Sequence, residues 1–158
     1  MAQTIITPRQ VIDIAFSDGE WIAEGVITEA DITAAIERWI VPVVGRDLLD
    51  AVAQGSYEEF STQYLRPAIA LYTRLLVQPR LNVQTSQLGL SSPAGSSRRA
   101  ADEKARGELQ HALRLRAQAM RKRVAEYLEQ NSTTIAEYRS EDNVLNRCSC
   151  DGGFVQIF

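Results

Sequence analysis

Two cysteines separated by a single residue, Cys148 and Cys150, are the side chains of this sequence with the most evident capacity for chemistry. A structural zinc ion generally takes four nitrogen or sulfur ligands. These two thiols and His111, the only histidine, leave such a site one ligand short. A redox pair usually has the spacing C-x-x-C. We interpret both cysteines as exposed thiols without a role, and the alternative is a metal site that a carboxylate or a second subunit completes.

No set of residues in the sequence resembles a catalytic centre. His111 lies in a predicted helix, and no serine or cysteine has the surroundings of a nucleophile with its base. The acidic pairs Glu58-Glu59 and Asp102-Glu103 are adjacent in predicted helices, so their side chains point to different faces. A phosphate loop and a dinucleotide-binding fingerprint are also absent from the sequence. We predict that the protein is not an enzyme and uses no cofactor or metal ion.

Five basic residues lie close together in the last long predicted helix: Arg114, Arg116, Arg121, Lys122 and Arg123. A helix that reads DNA usually offers Asn, Gln, Ser or Thr to base edges and follows a short turn. Here a long predicted loop precedes the helix. We predict that the five residues form one basic surface that faces solvent or a neighbouring subunit. In the alternative interpretation, the basic helix 98–123 contacts DNA phosphates in a packaging or regulatory protein.

Charge is distributed unevenly along the 158 residues, whose net charge is −3. The first 60 residues contain eleven Asp and Glu and three Arg, whereas residues 98–129 contain nine Lys and Arg and five Asp and Glu. Such asymmetry is typical of nucleic-acid binding, and equally of subunits whose acidic face meets the basic face of another copy.

Composition and length favour one globular domain with a hydrophobic core. The chain is 45% hydrophobic and 23% charged, which is ordinary for a folded domain and argues against overall disorder. The opening MAQTIITPRQ lacks the pattern of a signal peptide, and no stretch approaches the roughly 18 apolar residues of a membrane span. Both cysteines lie near the end, so no disulfide framework is expected. We therefore expect a cytoplasmic chain that does not interact with membranes.

Helix signals predict an all-α fold, a small bundle of about four to five helices with a long C-terminal helix and an extended C-terminal tail. Thr7 and Thr28 are predicted helix N-caps, and Ser56 with Glu59 has the spacing of a capping box. Pro42 and Pro67 should each kink or interrupt a helix. Apolar spacing places the central core at residues 64–76, packed against residues 32–40 and 109–128.

Three predicted boundaries follow from composition. The small and polar residues 84–97 should form an exposed loop, with the last long helix running from residue 98 to residue 130. Residues 1–139 should form the helical domain. Residues 140–158 should be a flexible tail.

The sequence resembles the head–tail connector proteins of tailed bacteriophages, also called adaptor or head-completion proteins, particularly the prophage versions of Bacteroides-type bacteria. Several stretches carry the resemblance in order: ITPRQVIDIAF, ITEADITAAIERWIVPVVG, GSYEEFSTQYLRPAIALYTRLL and RVAEYLEQNSTTIAEY, followed by a short tail with cysteines. Together they cover residues 5–150. These stretches are apolar helices with characteristic breaks, and the family has no catalytic residues to transfer.

The resemblance implies a structural virion assembly protein at the head–tail junction, present in the host bacterial cytoplasm during assembly. Its expected partners are copies of itself in a ring, of which a dodecamer is one form, the portal protein and the next tail-side connector. DNA would pass through the ring without its sequence being read. The apolar chain end would dock on the portal or tail through Phe154, Val155, Ile157 and Phe158. An apolar alternating segment of this kind can add as a strand to the sheet edge of another protein.

Overall fold

A computed structural model describes residues 4–16, 22, 24–81, 84–86, 89–91, 103–151 and 154–157. Within these residues the fold is all-α, as predicted, and contains five helices. They are α1 (Pro8–Ala15), α2 (residues 29–44), α3 (Arg46–Ala53), α4 (residues 58–81) and α5 (Glu103–Gln130). Single 3-10 turns cover Glu24–Val26, Ser140–Asp142 and Val144–Asn146.

Helix α4 is the centre of the bundle and contacts α1, α2 and α5. Its side chains Leu65, Ile69 and Tyr72 are among the most completely buried in the protein. Helix α5 packs on α4 through a narrow buried stripe that includes Leu113 and Val124, while the rest of its length is largely exposed. The predicted core at residues 64–76 and its packing partners are therefore confirmed.

Buried Arg74 connects α4 to the end of α1. Its guanidinium donates a hydrogen bond to the carbonyl of Ala15 and lies 4.3 Å from the ring centroid of Phe16. The last carbonyls of a helix lack partners within the helix, and a cation is favoured there. Arg74 therefore fixes where α1 ends, an arrangement that no local pattern in the sequence indicates.

The two threonine caps are confirmed. Each forms a capping box, in which the backbone N–H of Thr7 donates to the side-chain oxygen of Gln10 (2.9 Å) and that of Thr28 donates to the carboxylate of Asp31 (2.9 Å). These reciprocal bonds satisfy amide groups that the first helical turn leaves free.

The predicted capping box at Ser56 does not form. The residue that caps α4 is Tyr57, in the left-handed conformation (φ 56°) and without a side-chain cap hydrogen bond. The backbone N–H of Ser56 instead donates to the carbonyl of Ala51 (3.0 Å), which closes the end of α3. The prediction was wrong because α3 ends so close to α4 that Ser56 belongs to the end of the first helix.

Pro42 and Pro67 each lie just after an interruption of the regular α-helix, as predicted, although neither proline ends its helix. A π-helical turn, Ile36–Ile40 in α2 and Ser61–Leu65 in α4, lies just ahead of each proline. A proline has no N–H and its ring collides with the carbonyl four residues earlier in a regular α-helix. The wider π turn supplies the space, so each helix continues through the proline.

Helices α2 and α3 meet at a corner formed by Gly45. Its φ of 84° lies in the region that side chains disfavour, and its N–H donates to the carbonyl of Val41 (2.9 Å). Glycine adopts this conformation without steric cost. The corner lets α3 begin at the very next residue, Arg46.

Two short antiparallel hairpins were not predicted from the sequence. The first pairs β1 (Gln84–Ser86) with β2 (Gly89–Ser91), and the second pairs β3 (Cys148–Asp151) with β4 (Phe154–Ile157). The segment predicted as an exposed loop at residues 84–97 therefore starts with a hairpin. Residues 92–97, and residues 98–102 of the predicted last helix, lie outside the described residues.

The packed body continues past residue 139, where a flexible tail was predicted to begin. Asn143 is buried, and Val144 and Leu145 pack against the hydrophobic core. The amide of Asn143 donates to the hydroxyl of Tyr138 (2.8 Å) and accepts from the N–H of Leu145 (3.0 Å). These contacts hold residues 140–147 on the bundle, so a separate tail starts no earlier than β3.

Candidate functional site

The five basic residues of α5 do not form the single surface that was predicted. Positions seven apart lie on the same side of a helix, so Arg114 and Arg121 share one flank of the buried stripe and Arg116 and Arg123 share the other. Lys122 projects from the exposed back of the helix, with a side chain that is 76% exposed. The structure therefore separates three sets of charges that the sequence shows as one cluster.

The first flank borders a groove of about 340 Å³ formed by α2, α4 and α5. Arg114 and Arg121 line it from α5, Tyr72 from α4, and Arg38 and Trp39 from α2. Arg38 and Trp39 lie in the π turn Ile36–Ile40, and π turns interrupt helices frequently at functional sites. We call this space the arginine groove.

Aromatic stacking fixes the wall of the arginine groove. The rings of Trp39 and Tyr72 are stacked, with centroids 4.8 Å apart and an angle of 18° between their planes. The guanidinium of Arg38 lies 4.8 Å from the centroid of Trp39, and that of Arg121 lies 5.8 Å from the centroid of Tyr72. Each cation is therefore held against one ring of the stacked pair, Arg38 against Trp39 and Arg121 against Tyr72.

Two polar atoms of the arginine groove are buried without a hydrogen-bond partner among the described residues. They are the hydroxyl oxygen of Tyr72 and Nε of Arg121. Burial raises the pKa of Tyr72 even though the nearby charge of Arg121 opposes the shift, so the hydroxyl remains protonated and a donor at neutral pH. The groove thus offers hydrogen-bond donors and positive charge. The sequence did not predict it, because Trp39 and Tyr72 are distant in the sequence.

The second flank of α5 is an aromatic cluster. Arg123 lies 5.7 Å from the centroid of Tyr64, whose ring is 4.5 Å from that of Tyr127, and Phe60 lies 5.3 Å from Tyr127. Tyr64 belongs to the π turn of α4. Arg116, seven residues before Arg123, is exposed. This flank is mainly a packed contact between α4 and α5.

The exposed back of α5 carries ion pairs between residues four apart. Lys122 lies 3.7 Å from Glu126, and Lys104 lies 3.9 Å from Glu108. Pairs of this kind on a solvated helix contribute little to stability and do not define a site. His111 is also exposed on this helix.

A second groove, of about 430 Å³, lies between α2 and α3 and is largely apolar. Ile32, Ile36 and Leu49 line its floor. Its rim is acidic and includes the exposed side chains of Glu29 and Asp50. We call this space the acidic groove. Because Arg38 and Trp39 border the arginine groove, α2 presents chemically different surfaces on two of its faces.

One charge on the rim of the acidic groove is neutralised within the chain. Arg46 at the start of α3 makes a bidentate ion pair with Glu37 of α2, through bonds of 2.9 Å and 2.7 Å. The pair spans the Gly45 corner, so it fixes the angle between the two helices. Glu29 and Asp50 remain as the acidic groups that a partner could meet.

A network around Glu129 joins the end of α5 to residues 138–146. Its carboxylate accepts hydrogen bonds from the hydroxyls of Tyr138 and Ser140 and from the amide of Asn146. Burial alone would raise the pKa of Glu129, but these bonds outweigh burial and the pKa is lowered. Burial and the bond to Glu129 raise the pKa of Tyr138 to about 12. The network holds the chain in place directly before β3.

Three of the four predicted docking residues and both cysteines belong to the C-terminal hairpin. Phe154, Val155 and Ile157 lie in β4, where Val155 pairs with Cys150 and Ile157 with Cys148, while Phe158 lies outside the described residues. The hairpin is a two-stranded sheet, so within the described chain each strand has one edge without a neighbouring strand.

The described residues contain no group of three or more His, Cys, Asp and Glu side chains positioned to hold a metal ion. Among the same residues, every helix is too short or too polar to traverse a bilayer.

These features define a small all-α bundle with two grooves and a terminal hairpin. A family model matches residues 29–147, and the chain belongs to that family, the family of unknown function DUF6712. The match starts at the first residue of α2 and ends directly before β3. No curated protein and no solved structure matches the chain.

Proposed function

We propose that the protein is a structural virion assembly protein, a phage or prophage head–tail connector that forms a ring between the portal and the tail. The observation that carries the proposal is the pair of unlike grooves on two faces of α2. A ring of identical copies needs a heterologous contact, in which one surface of each subunit meets a different surface of the next. The acidic groove and the basic residues of α5 are complementary surfaces of this kind.

The charges support an interface between copies better than a DNA-binding face. A protein that tracks duplex DNA without reading it presents a continuous basic patch to the phosphates. The basic residues at 114–123 instead lie on two flanks and the back of α5, where Lys122 is paired with Glu126 and Arg123 lies over Tyr64. The DNA-binding interpretation of the basic helix 98–123 therefore has less support than the ring.

The C-terminal hairpin supplies the proposed docking element for the portal or the next tail protein. An isolated two-stranded hairpin is marginally stable in water, and an unpaired strand edge can accept a strand from another chain. The docking role assigned to Phe154, Val155, Ile157 and Phe158 thus becomes strand addition at the free edge of β3 or β4. Residues 140–147 anchor this element to the body.

Electron microscopy of the concentrated protein tests the ring directly. We expect closed rings whose assembly weakens with added salt, because the contact is between exposed charges. The variant Asp50→Lys changes an exposed acid of the acidic groove and should prevent ring formation. Asp13→Lys makes the same change in charge on exposed α1, outside the groove residues, and should form rings as the unmodified protein does.

Two results of this comparison would contradict the proposed contact. One is a strictly monomeric protein at every concentration and salt condition. The other is equal assembly of Asp50→Lys and Asp13→Lys, since the acidic groove would then have no part in the interface.

A further inference from the structure

The arginine groove has an excess of positive charge that nothing in the described chain neutralises. Arg38, Arg114 and Arg121 all line it. No carboxylate of the described residues lies within ion-pair distance of any of the three. Guanidinium groups elsewhere in the described chain do find such partners, as Arg46 does with Glu37 and Arg80 with Asp31. Three arginines that line one groove without a paired carboxylate favour an anionic ligand, because guanidinium groups match carboxylate and phosphate oxygens.

Unsatisfied donors in the same groove point to the same kind of ligand. Native proteins leave few buried polar groups without a partner, and a bound water or ion is one explanation for each exception. The hydroxyl of Tyr72, whose residue is 1% exposed, and Nε of Arg121 are two such groups. Gln118 also lines the groove, whereas Gln110 is committed to the carbonyl of Leu75 at 3.1 Å.

The chemistry of the groove defines the ligand more closely. The ring of Trp39 is already in contact with Tyr72 and Arg38, so it offers little free face for a stacked aromatic ligand. Apart from the apolar residues Leu75, Leu76 and Pro79, the remaining lining groups are cations and polar side chains, which suit a compact ligand rich in acceptor oxygens. A phosphate monoester carries a charge of about −1.5 to −2 at neutral pH and three acceptor oxygens, whereas a carboxylate carries one charge and two oxygens.

We propose that the arginine groove binds a phosphate group through Arg38, Arg114, Arg121 and Tyr72. A small phosphate compound suits the groove better than a nucleic-acid strand, because Arg116 and Arg123 lie on the other flank of α5 and cannot extend a basic track along it. This inference can be tested without ring formation, although the connector proposal uses the same arginine groove as the basic surface that meets the acidic groove of the next subunit.

Titration of the full-length protein with inorganic phosphate tests the site, with calorimetry for binding, thermal unfolding for stability and ionic strength held constant with chloride. Arg114→Gln should raise the Kd for phosphate by about tenfold or more, the effect of losing a charge-assisted hydrogen bond. Arg116→Gln is the matched control, since it removes the same charge from an exposed position of the same helix. We expect it to leave the Kd unchanged.

Tyr72→Phe separates a binding role from a structural one. The hydroxyl has no partner in the described chain, so its removal should leave the melting temperature without phosphate unchanged or slightly higher, while the affinity for phosphate falls. A marked loss of stability in Tyr72→Phe without phosphate would show that the hydroxyl has a structural partner, and would overturn its assignment to the ligand.

Two further arms identify the source of the phosphate. Glycerol phosphate represents small phosphomonoesters, and a short single-stranded oligonucleotide represents the nucleic-acid backbone. If glycerol phosphate competes with inorganic phosphate for the unmodified protein and for Arg116→Gln, but not for Arg114→Gln, the ligand is a small phosphomonoester. Competition by the oligonucleotide with the same dependence on the variants would retain the phosphate site and assign it to nucleic acid. The proposal is overturned if no probe shows saturable binding, or if the two arginine variants respond alike.

Discussion

Replacing Leu113 with alanine should lower the free energy of unfolding by about 2–5 kcal/mol, the range for a buried leucine. Its side chain is 5% exposed and lies in the stripe by which α5 packs on α4. The cost has two parts, the lost burial of the removed carbons and the cavity that neighbouring side chains fill incompletely. For a chain of this size, the same loss corresponds to a fall in melting temperature of roughly 5–15 °C.

The same substitution two residues further along supplies the control. Leu115 is 53% exposed on the outer side of α5, and alanine is an equal or better helix former than leucine. Leu115→Ala should therefore change the free energy of unfolding by less than about 0.5 kcal/mol. Urea unfolding followed by far-ultraviolet circular dichroism measures both variants. Equal effects of the two substitutions would refute the packing of α5 on α4 described above.

Three further predictions follow from particular residues. Gly45→Ala should lower the free energy of unfolding by about 1–3 kcal/mol, because φ is 84° and ψ is 157°, a conformation that essentially only glycine adopts, although no atom lies within 4 Å of the added carbon. An unchanged midpoint in urea unfolding would show that the corner tolerates side chains. Arg80 holds the pKa of Asp31 at about 2 instead of 3.8, so its ionised form stabilises the fold above pH 4 and this contribution is lost as pH falls toward 2. Asp31→Asn should reduce the loss of stability between pH 4 and pH 2. An unchanged pH dependence in this range would show that the Asp31–Arg80 ion pair does not cause the loss. Asn143→Ala should lower the free energy of unfolding by about 1–3 kcal/mol, because the buried hydrogen bond to Tyr138 is lost. It should also make residues 140–147 susceptible to protease. Unchanged resistance to protease would contradict the packing of these residues on the bundle.

Features set by neighbouring residues were predictable from the sequence. The caps at Thr7 and Thr28 and the buried stripes of α4 and α5 depend on spacings of three to four residues, and the structure confirms them. The division of the basic residues was also present in the sequence, because Arg114 and Arg121 are one heptad apart. The prediction of one basic surface was wrong because neighbouring residues of an α-helix point in different directions.

Features set by distant residues could not be predicted in the same way. Proline indicates an interruption of the regular α-helix, but not that a π turn would precede Pro42 and Pro67 and let α2 and α4 continue beyond them. Glu129 reads as an ordinary helix acid until residues 138–146 fold back onto it. Trp39 and Tyr72 likewise become neighbours only when α2 packs on α4.

The C-terminal hairpin was not predicted, although a signal for it is present in the sequence. Gly152 and Gly153 separate β3 from β4, and a two-residue Gly-Gly link between alternating segments is a recognised hairpin signal. The hairpin was therefore predictable from neighbouring residues, whereas Cys148 and Cys150 indicate metal or redox chemistry only weakly.

The most direct test of the connector proposal is the joining of heads to tails in particles made with a chain that ends at residue 147. This truncation keeps the Glu129 network and the whole helical body and removes only the hairpin and the last residues. We expect the truncated protein to fold and to melt at nearly the same temperature, while filled heads and free tails accumulate separately in electron micrographs. Normal numbers of joined, infectious particles from the truncated chain would contradict the proposed docking role.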